Sequence, residues 1–240
     1  MRANGDTCRL APATFLARRV LSEPDQCDGL WRIERLDCTG PSLLAPEGVE
    51  DALERTVVTA GNFVRFMLKT VQGLAARGAM HRFVPEDFSQ ASALANQVYF
   101  NALYDLSPDD ALIIDSEVAD SASYWGVHLF DVFYNTLDFV HHQSALNDRQ
   151  VRLDSDGRAR LVVSLADPGV PNWLDPGGVA LGGILWRWNM EGAFPEPRLR
   201  KVPLSQVRSF LPPDTPHTTP EDRRAAIAER AVLYQGRRRL

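Results

Sequence analysis

The spacing of hydrophobic residues changes once along this 240-residue chain, and the change limits the folds that are open to it. From Pro46 to Leu74 apolar residues recur every three or four positions, which predicts an amphipathic helix of about 30 residues ended by Gly78. In the second half of the chain they alternate with polar residues, as in strands. We therefore predict an α+β chain. A helical N-terminal region over residues 1–108 packs on an antiparallel, jelly-roll-like β-sandwich with a C-terminal helix over residues 109–240, in one continuous unit.

The same two patterns predict the individual elements. A second helix is expected after Ser89, and its apolar face would carry Leu94, Val98, Ala102 and Leu103. A final helix is expected over Pro220–Tyr234, with Thr219 as its cap. The segments that read as strands are Trp31–Leu36, Ala111–Val118, Ser123–Asp131, Gln150–Asp154, Arg158–Leu165, Leu181–Asn189 and Leu199–Leu204. Two of them would form a hairpin through Asp154–Gly157, where the glycine supplies a positive φ.

The charge balance and the cysteines restrict the class of protein. Lys and Arg total 26 against 31 Asp and Glu, so the chain lacks the excess of positive charge that general nucleic-acid binding needs. Cys8, Cys27 and Cys38 fit no zinc or redox spacing, which predicts reduced thiols. The N-terminus has no signal-peptide pattern, and polar residues interrupt the apolar stretch Val57–Leu74. We therefore expect a cytoplasmic protein that binds neither nucleic acid nor membranes.

Four of the five tryptophans and three of the five histidines lie between residues 125 and 188. Within this segment, one face of the strand over residues 123–131 would carry Trp125, Val127 and Leu129, which we assign to the core. The opposite face would carry Tyr124, Gly126, His128 and Phe130. A few polar groups among aromatic ones, with Gly126 leaving space, are typical of a pocket wall. A His128 side chain satisfied beneath a loop is the alternative.

Arg187 stands between Trp186 and Trp188, so a strand would place the tryptophans on one face and the arginine on the other. An arginine on a central strand needs an acidic or aromatic partner, or an anionic ligand. The candidate acidic partners are Asp138, Asp148 and Asp167. Arg187 is therefore the residue best suited to hold a carboxylate or phosphate of a substrate, and a structural ion pair is the alternative.

Adjacent His141 and His142 would point to opposite faces of an extended strand, so a regular strand does not aim both at one ion. A metal site built from His128, one of this pair and a carboxylate is an alternative, but no known ligand spacing is present and we predict no metal.

The loop Asp167–Gly178 contains three prolines and three glycines, which makes it stiff and tightly turned. Trp173 would anchor this loop in the sandwich. Its polar side chains would satisfy turn amides or face a ligand, and these are Asp167, Asn172 and Asp175.

Residues 109–204 resemble a bacterial domain of unknown function, the one numbered twelve-fourteen. The resemblance rests on Tyr-Trp-Gly-Val-His-Leu-Phe at 124–130, His-Gln-Ser-Ala-Leu-Asn at 142–147, Asp156-Gly157, Asp-Pro-Gly-Val-Pro-Asn-Trp-Leu at 167–174 and the Trp-Arg-Trp strand. Membership would imply a jelly-roll β-sandwich and supplies no reaction.

The chain lacks the GxSxG, GxxxxGK[ST], GxGxxG and CxxC motifs, which argues against nucleotide-dependent chemistry and serine hydrolysis by the common routes. We predict a small-molecule enzyme of lyase, isomerase or cyclase type that uses no cofactor. Its catalytic residues would be His128, Tyr124 and Arg187. Its substrate-binding residues would be Phe130, Tyr134, His142, Asn147 and Trp173.

Two other functions fit the same residues. The aromatic groups would serve a non-catalytic small-molecule-binding protein equally well, with His128 and Arg187 orienting the ligand. Alternatively, the apolar stripes of the long helix and the C-terminal helix would form a subunit interface in a homo-oligomer.

Overall fold

The computed structural model describes residues 46–86, 97–190 and 192–237. This part of the chain is a mixed α+β structure of two α-helices, nine strands and one 3-10 helix. In chain order the elements are α1 (Pro46–Ala76), β1 (Val84–Glu86), β2 (Gln97–Asp105), β3 (Asp110–Ser116), β4 (Tyr124–Phe130), β5 (Ala145–Asn147), β6 (Ala159–Ser164), β7 (Trp173–Leu174), β8 (Leu181–Asn189), β9 (Arg198–Pro203), the 3-10 helix (Leu204–Phe210) and α2 (Pro220–Arg237). The strand expected at Trp31–Leu36 and the three cysteines lie outside the described residues.

The predicted long helix is confirmed as α1. It ends where expected, because Gly78 adopts a φ of 71° and donates to the carbonyl of Ala75 at 3.0 Å. A boundary between two compact units falls inside this helix, after Gly61. In the described part of the first unit the helix exposes Leu53 and Val57, whereas within the second unit Leu74 is completely buried.

The larger sheet has the strand order β1-β2-β8-β4-β5, and every pair in it is antiparallel. The prediction of a helix after Ser89 is wrong over Gln97–Asp105. This segment is β2, and it pairs with β8 along its whole length. Its residues alternate between the two faces of the sheet, so a period of two overrides the four-residue spacing of Val98 and Ala102. Ser89 and Leu94 lie outside the described residues.

The smaller sheet has the order β7-β6-β3-β9 and is mixed, because β6 and β7 run parallel. The turn at Asp154–Gly157 is confirmed, with a φ of 76° at Gly157. The strand expected at Gln150–Asp154 is wrong. The backbone of Arg152 forms hydrogen bonds with the Asn172 side chain instead of with another strand. The side chain accepts from the Arg152 N–H at 3.0 Å and donates to the Arg152 carbonyl at 2.7 Å.

One hydrophobic cluster draws side chains from both sheets. Trp125 stacks on Trp186 with ring centroids 4.9 Å apart, and Trp188 packs against both rings. Such rings bury large apolar areas and dominate core energetics. The assignment of alternate residues to the core is confirmed for Trp125, Val127, Leu129, Trp186 and Trp188.

The C-terminal helix is confirmed as α2, and Thr219 caps it as predicted. The Thr219 hydroxyl accepts from the backbone N–H of Asp222 at 3.1 Å, and the Asp222 carboxylate accepts from the Thr219 N–H at 3.0 Å. This reciprocal pair satisfies two amide groups at the start of the helix. No described helix is both long and apolar enough to cross a bilayer.

Candidate functional site

The face of the large sheet that points away from the shared hydrophobic cluster carries most of the predicted site. The strand register places Arg187 of β8 between Tyr99 of β2 and Gly126 of β4. Two residues earlier on β8, on the same face, Leu185 lies between Asn101 and His128. We call the polar residues of this surface the outer-face cluster, and they are Tyr99, Asn101, Tyr124, His128 and Arg187. All three predicted catalytic residues belong to it.

Arg187 is partly buried at the centre of this cluster. Its guanidinium lies over the ring of Tyr99, 4.9 Å from the centroid, so the aromatic partner considered for it exists. Each of the three candidate acidic partners forms an ion pair with another cation: Asp138 with His141 at 2.8 Å, Asp148 with Arg149 at 3.7 Å and Asp167 with Arg223 at 3.0 Å. Within the described ranges no carboxylate pairs with Arg187, and its buried Nε has no hydrogen-bond partner.

His128 is held as a neutral imidazole. Burial lowers its pKa, and the neighbouring Arg187 cation lowers it further, to about 4. At neutral pH the ring therefore has one nitrogen that can accept a proton and one that can donate a hydrogen bond.

Tyr124 covers Gly126 and contributes a neutral phenol. A Cβ added at Gly126 would lie 2.6 Å from the Tyr124 hydroxyl, so the space that this glycine leaves is filled by Tyr124 itself. Burial raises the pKa of Tyr124, and the opposing effect of Arg187 is smaller. A cationic guanidinium thus stands beside an uncharged imidazole and an uncharged phenol.

Tyr134 and Phe130 form the apolar side of the cluster. Their rings lie 4.3 Å apart, and the Tyr134 hydroxyl donates to Asn101 Oδ1 at 2.9 Å. Asp131 fixes the turn by accepting from the backbone N–H groups of Phe133 and Asn135 at 2.8 and 2.9 Å. This turn holds Tyr134 at a φ of 63°, a left-handed conformation that disfavours a bulky residue. Burial raises the pKa of Tyr134 to about 12.

The other predicted binding residues lie elsewhere or have local roles. His142 follows β4 in a loop and pairs with Asp175 at 2.7 Å. Trp173 belongs to the small sheet, where its indole N–H donates to the carbonyl of Ser164 at 3.0 Å. Asn147 lies opposite Gly126 on β5, but its side chain accepts two backbone N–H groups of the following turn. The structure therefore brings together Tyr124, His128, Phe130, Tyr134 and Arg187.

The loop Asp167–Gly178 has the turn chemistry expected of it. Asp167 and Asp175 each accept a backbone N–H two residues ahead at 2.8 Å, from Gly169 and Gly177. His141 and His142 each pair with a different carboxylate. Among residues 46–86, 97–190 and 192–237, no group of three or more His, Cys, Asp or Glu side chains is arranged to hold a metal ion.

Sequence reasoning missed Tyr99 and Asn101. Asn101 is completely buried, and its Nδ2 has no hydrogen-bond partner among the described residues. The signal was present, because aromatic and apolar residues fill the segment from Val98 to Tyr104, as in a strand with two covered faces.

Comparisons with known proteins leave the family open. Over 54% of its length the chain is similar to the crystal structure of an uncharacterised protein from Burkholderia cenocepacia, with 30% identity and a TM-score of 0.50, and the match covers 37% of that protein. A protein from Vibrio parahaemolyticus matches over 44% of this chain and 31% of its own, with 16% identity and a TM-score of 0.34. The matched region thus spans about a third of each relative. No family model and no curated protein matches the chain.

Proposed function

We propose that the outer-face cluster binds a small organic anion and catalyses a proton transfer on it without a cofactor. The observation that carries this proposal is Arg187, a partly buried cation on a central strand with which no described carboxylate forms an ion pair. A cation withdrawn from water is costly unless it is paired, so an anionic ligand is the natural counter-ion. Tyr99 fixes the guanidinium from one side, which lowers the entropy lost when a carboxylate docks on it.

The neutral state of the His128 imidazole is the basis for proposing proton transfer. A neutral imidazole can take a proton from a carbon next to the substrate's carbonyl or carboxylate group, and the C–H electron pair then moves onto oxygen. Arg187 stabilises the negative charge that develops there. Return of the proton to another carbon completes an isomerisation, and departure of a leaving group with its electron pair completes an elimination. Tyr124 keeps its proton and donates a hydrogen bond.

Binding of the anion would also raise the pKa of His128. Part of the low pKa of His128 comes from repulsion by Arg187, and a bound carboxylate cancels that repulsion. The imidazole therefore becomes a stronger base when substrate is present. If burial keeps its pKa near 4 even then, the site is a non-catalytic binding site, and this is the second function that the geometry favours.

Binding and catalysis can be tested separately with small probes. We expect phenylacetate and phenylpyruvate to bind in ligand-observed NMR, and phenylpyruvate to exchange its carbon-bound protons with D₂O faster than in buffer. Arg187→Gln should weaken binding about tenfold or more. His128→Gln should retain binding and lose the exchange, whereas exchange equal to wild type would refute its role as base.

Arg200 offers a matched control. Its guanidinium also lies over an aromatic ring, 5.4 Å from the centroid of Phe210, but on the small sheet. Arg200→Gln should leave probe binding within about twofold of wild type. Equal losses in the Arg187 and Arg200 variants would indicate a general charge effect and refute the site.

We further infer that the two sheets form a β-sandwich of jelly-roll type and that residues 109–204 belong to the domain family numbered twelve-fourteen. The hydrophobic cluster shared by the two sheets supports the first inference. The motifs described above support the second. An experimental structure in which the two sheets do not face each other would overturn the first.

A further inference from the structure

The buried side of α2 carries two arginines that lie two helical turns apart. Arg223 exposes 9% of its surface and Arg230 exposes 7%, so both are withdrawn from water. The guanidinium of Arg223 pairs with Asp167 at 3.0 Å. It also donates to the carbonyl of Val170 at 2.6 Å and lies over the ring of Trp173. These partners compensate for the burial of its positive charge.

Arg230 has fewer partners. Among the described residues it donates one hydrogen bond, to the carbonyl of Phe139 at 3.3 Å, and no carboxylate forms an ion pair with it. Burial lowers its pKa, as expected for a cation withdrawn from water. A guanidinium carries five N–H groups, and one distant carbonyl engages only one of them. An anion is the partner that would compensate for this charge.

The partner of Arg230 lies beside the outer-face cluster. Phe139 belongs to the loop between β4 and β5. A backbone hydrogen bond joins this loop to β4, because the N–H of Leu137 donates to the carbonyl of Leu129 at 3.0 Å. Leu129 directly follows His128, the proposed base. The buried part of α2 therefore packs on the loop that flanks the proposed site.

Tyr234 connects the end of α2 with the same cluster. Its ring packs edge-on against Phe139, with the ring centroids 5.0 Å apart. Burial raises the pKa of Tyr124, and the charges of Arg187 and Tyr234 both act on this phenol as well. Tyr124 thus neighbours the first arginine on one strand of the sheet and the aromatic end of α2.

The carboxylates of the adjoining segments do not compensate for Arg230. Asp138 pairs with His141 at 2.8 Å, and Asp148 pairs with Arg149 at 3.7 Å. Glu229 precedes the arginine on α2 but is exposed, and consecutive residues of a helix do not face each other. Near the outer face the described chain therefore has two withdrawn guanidiniums that form no ion pair.

We propose that Arg230 holds a second negative group of the ligand bound at Arg187, so that the substrate is a dicarboxylate. The inference rests on the proposed function, because Arg187 has to hold the first carboxylate. Contacts at both ends would fix the orientation of the carbon that gives up its proton to His128. Arg230 would thereby determine the specificity of the site, while the proton transfer itself stays with His128.

Phenylacetate and the three isomers of phenylenediacetate form a matched series of probes. Each isomer is phenylacetate with one further carboxymethyl group, and the three isomers place that group at different distances from the first. We expect the best isomer to bind the full chain at pH 7 about tenfold more tightly than phenylacetate in ligand-observed NMR. A gain of about twofold or less in all three, which two equivalent carboxylates give by statistics alone, would overturn the proposal.

Variants locate the contact of the second carboxylate. Arg230→Gln should abolish the gain of the best isomer and leave phenylacetate binding within about twofold of wild type. Arg224→Gln is the matched control and should keep the gain, because Arg224 is exposed on α2 and pairs with Glu221 at 2.6 Å. Should Arg230→Gln fail to fold, Arg230→Met replaces the buried cation with an apolar chain and gives the same comparison. Equal weakening of both ligands would refute a contact with the second carboxylate.

The two proposals fail in different ways. Phenylacetate binding that Arg187→Gln leaves unchanged would refute the proposed function, and the first contact of the dicarboxylate with it. Phenylacetate binding that depends on Arg187, together with no gain for any isomer, would refute only the role of Arg230.

Discussion

Two arginines on central strands, one in each sheet, differ in their charge partners. Arg160 of β6 pairs with Asp154 and Asp156 at 2.7 Å and with Asp115 at 3.6 Å. Arg187 of β8 has the ring of Tyr99 and, in the described part of the chain, no carboxylate. The first arginine has its counter-ions inside the protein and serves the structure. The second has no ion-pair partner among the described residues, and the proposed function assigns that role to an anionic ligand.

The histidines show the same difference between residues with and without a carboxylate partner. His141 and His142 pair with Asp138 and Asp175 at 2.8 and 2.7 Å. His128 instead neighbours the Arg187 cation, which lowers its pKa further than burial alone. Three side chains that look equivalent in the sequence therefore separate into two that pair with a carboxylate and one that lies near a cation.

The largest predicted difference is in stability. Arg160→Met leaves Asp154 partly buried without its cation, and we expect the free energy of unfolding to fall by about 3 kcal/mol. Arg187→Met removes a cation that has no ion-pair partner in the described part of the chain, so stability should change by less than about 1 kcal/mol or rise. Urea unfolding at pH 7 measures both. A loss for Arg187→Met as large as that for Arg160→Met would abolish the distinction.

The next effect is a pH dependence from His128. Its pKa is about 4 in the folded protein against 6.5 for the ordinary side chain, so the unfolded chain binds the extra proton between these values. Stability should therefore fall as the pH drops from 6.5 to 4, with a contribution of up to about 3 kcal/mol from this residue. His128→Gln should flatten that part of the profile. An unchanged slope in the variant would show that His128 titrates normally.

A smaller effect is expected from Gly126→Ala. The new Cβ would lie 2.6 Å from the Tyr124 hydroxyl and would displace it, so the cost should be about 1 kcal/mol. Probe binding at the outer face should weaken as well. Gly73→Ala is the control, because no atom lies within 4 Å of its added Cβ and helix propensity alone should raise stability. Probe binding unchanged by Gly126→Ala would remove Tyr124 from the site.

The smallest effect concerns the exposed part of the Arg160 network. Asp156 exposes 45% of its side chain, and Asp156→Asn should cost only about 0.5 kcal/mol in urea unfolding. A loss close to that of Arg160→Met would mean that Asp156 is the main counter-ion.

The alternation of residues 124–130 and 186–188 was enough to separate core from outer face, because a strand has a side-chain period of two. The sequence could not show which cation each aspartate meets. Asp138 and Asp167 have charge partners near in space, and only one of these, His141, is near in the sequence. The segment from Gln97 to Asp105 satisfied helix and strand spacings at once, and only its pairing with β8 decides between them.

One measurement tests the distinction between the two arginines directly. The Nε–H NMR signals of Arg187 and Arg160, assigned with the Arg187→Gln and Arg160→Gln variants, are followed during a titration with phenylacetate at pH 7. We predict a saturable shift of the Arg187 signal, because its guanidinium has no ion-pair partner among the described residues, and an Arg160 signal that does not move. An Arg187 signal that stays fixed at saturating phenylacetate, or that moves no more than that of Arg160, would contradict the account.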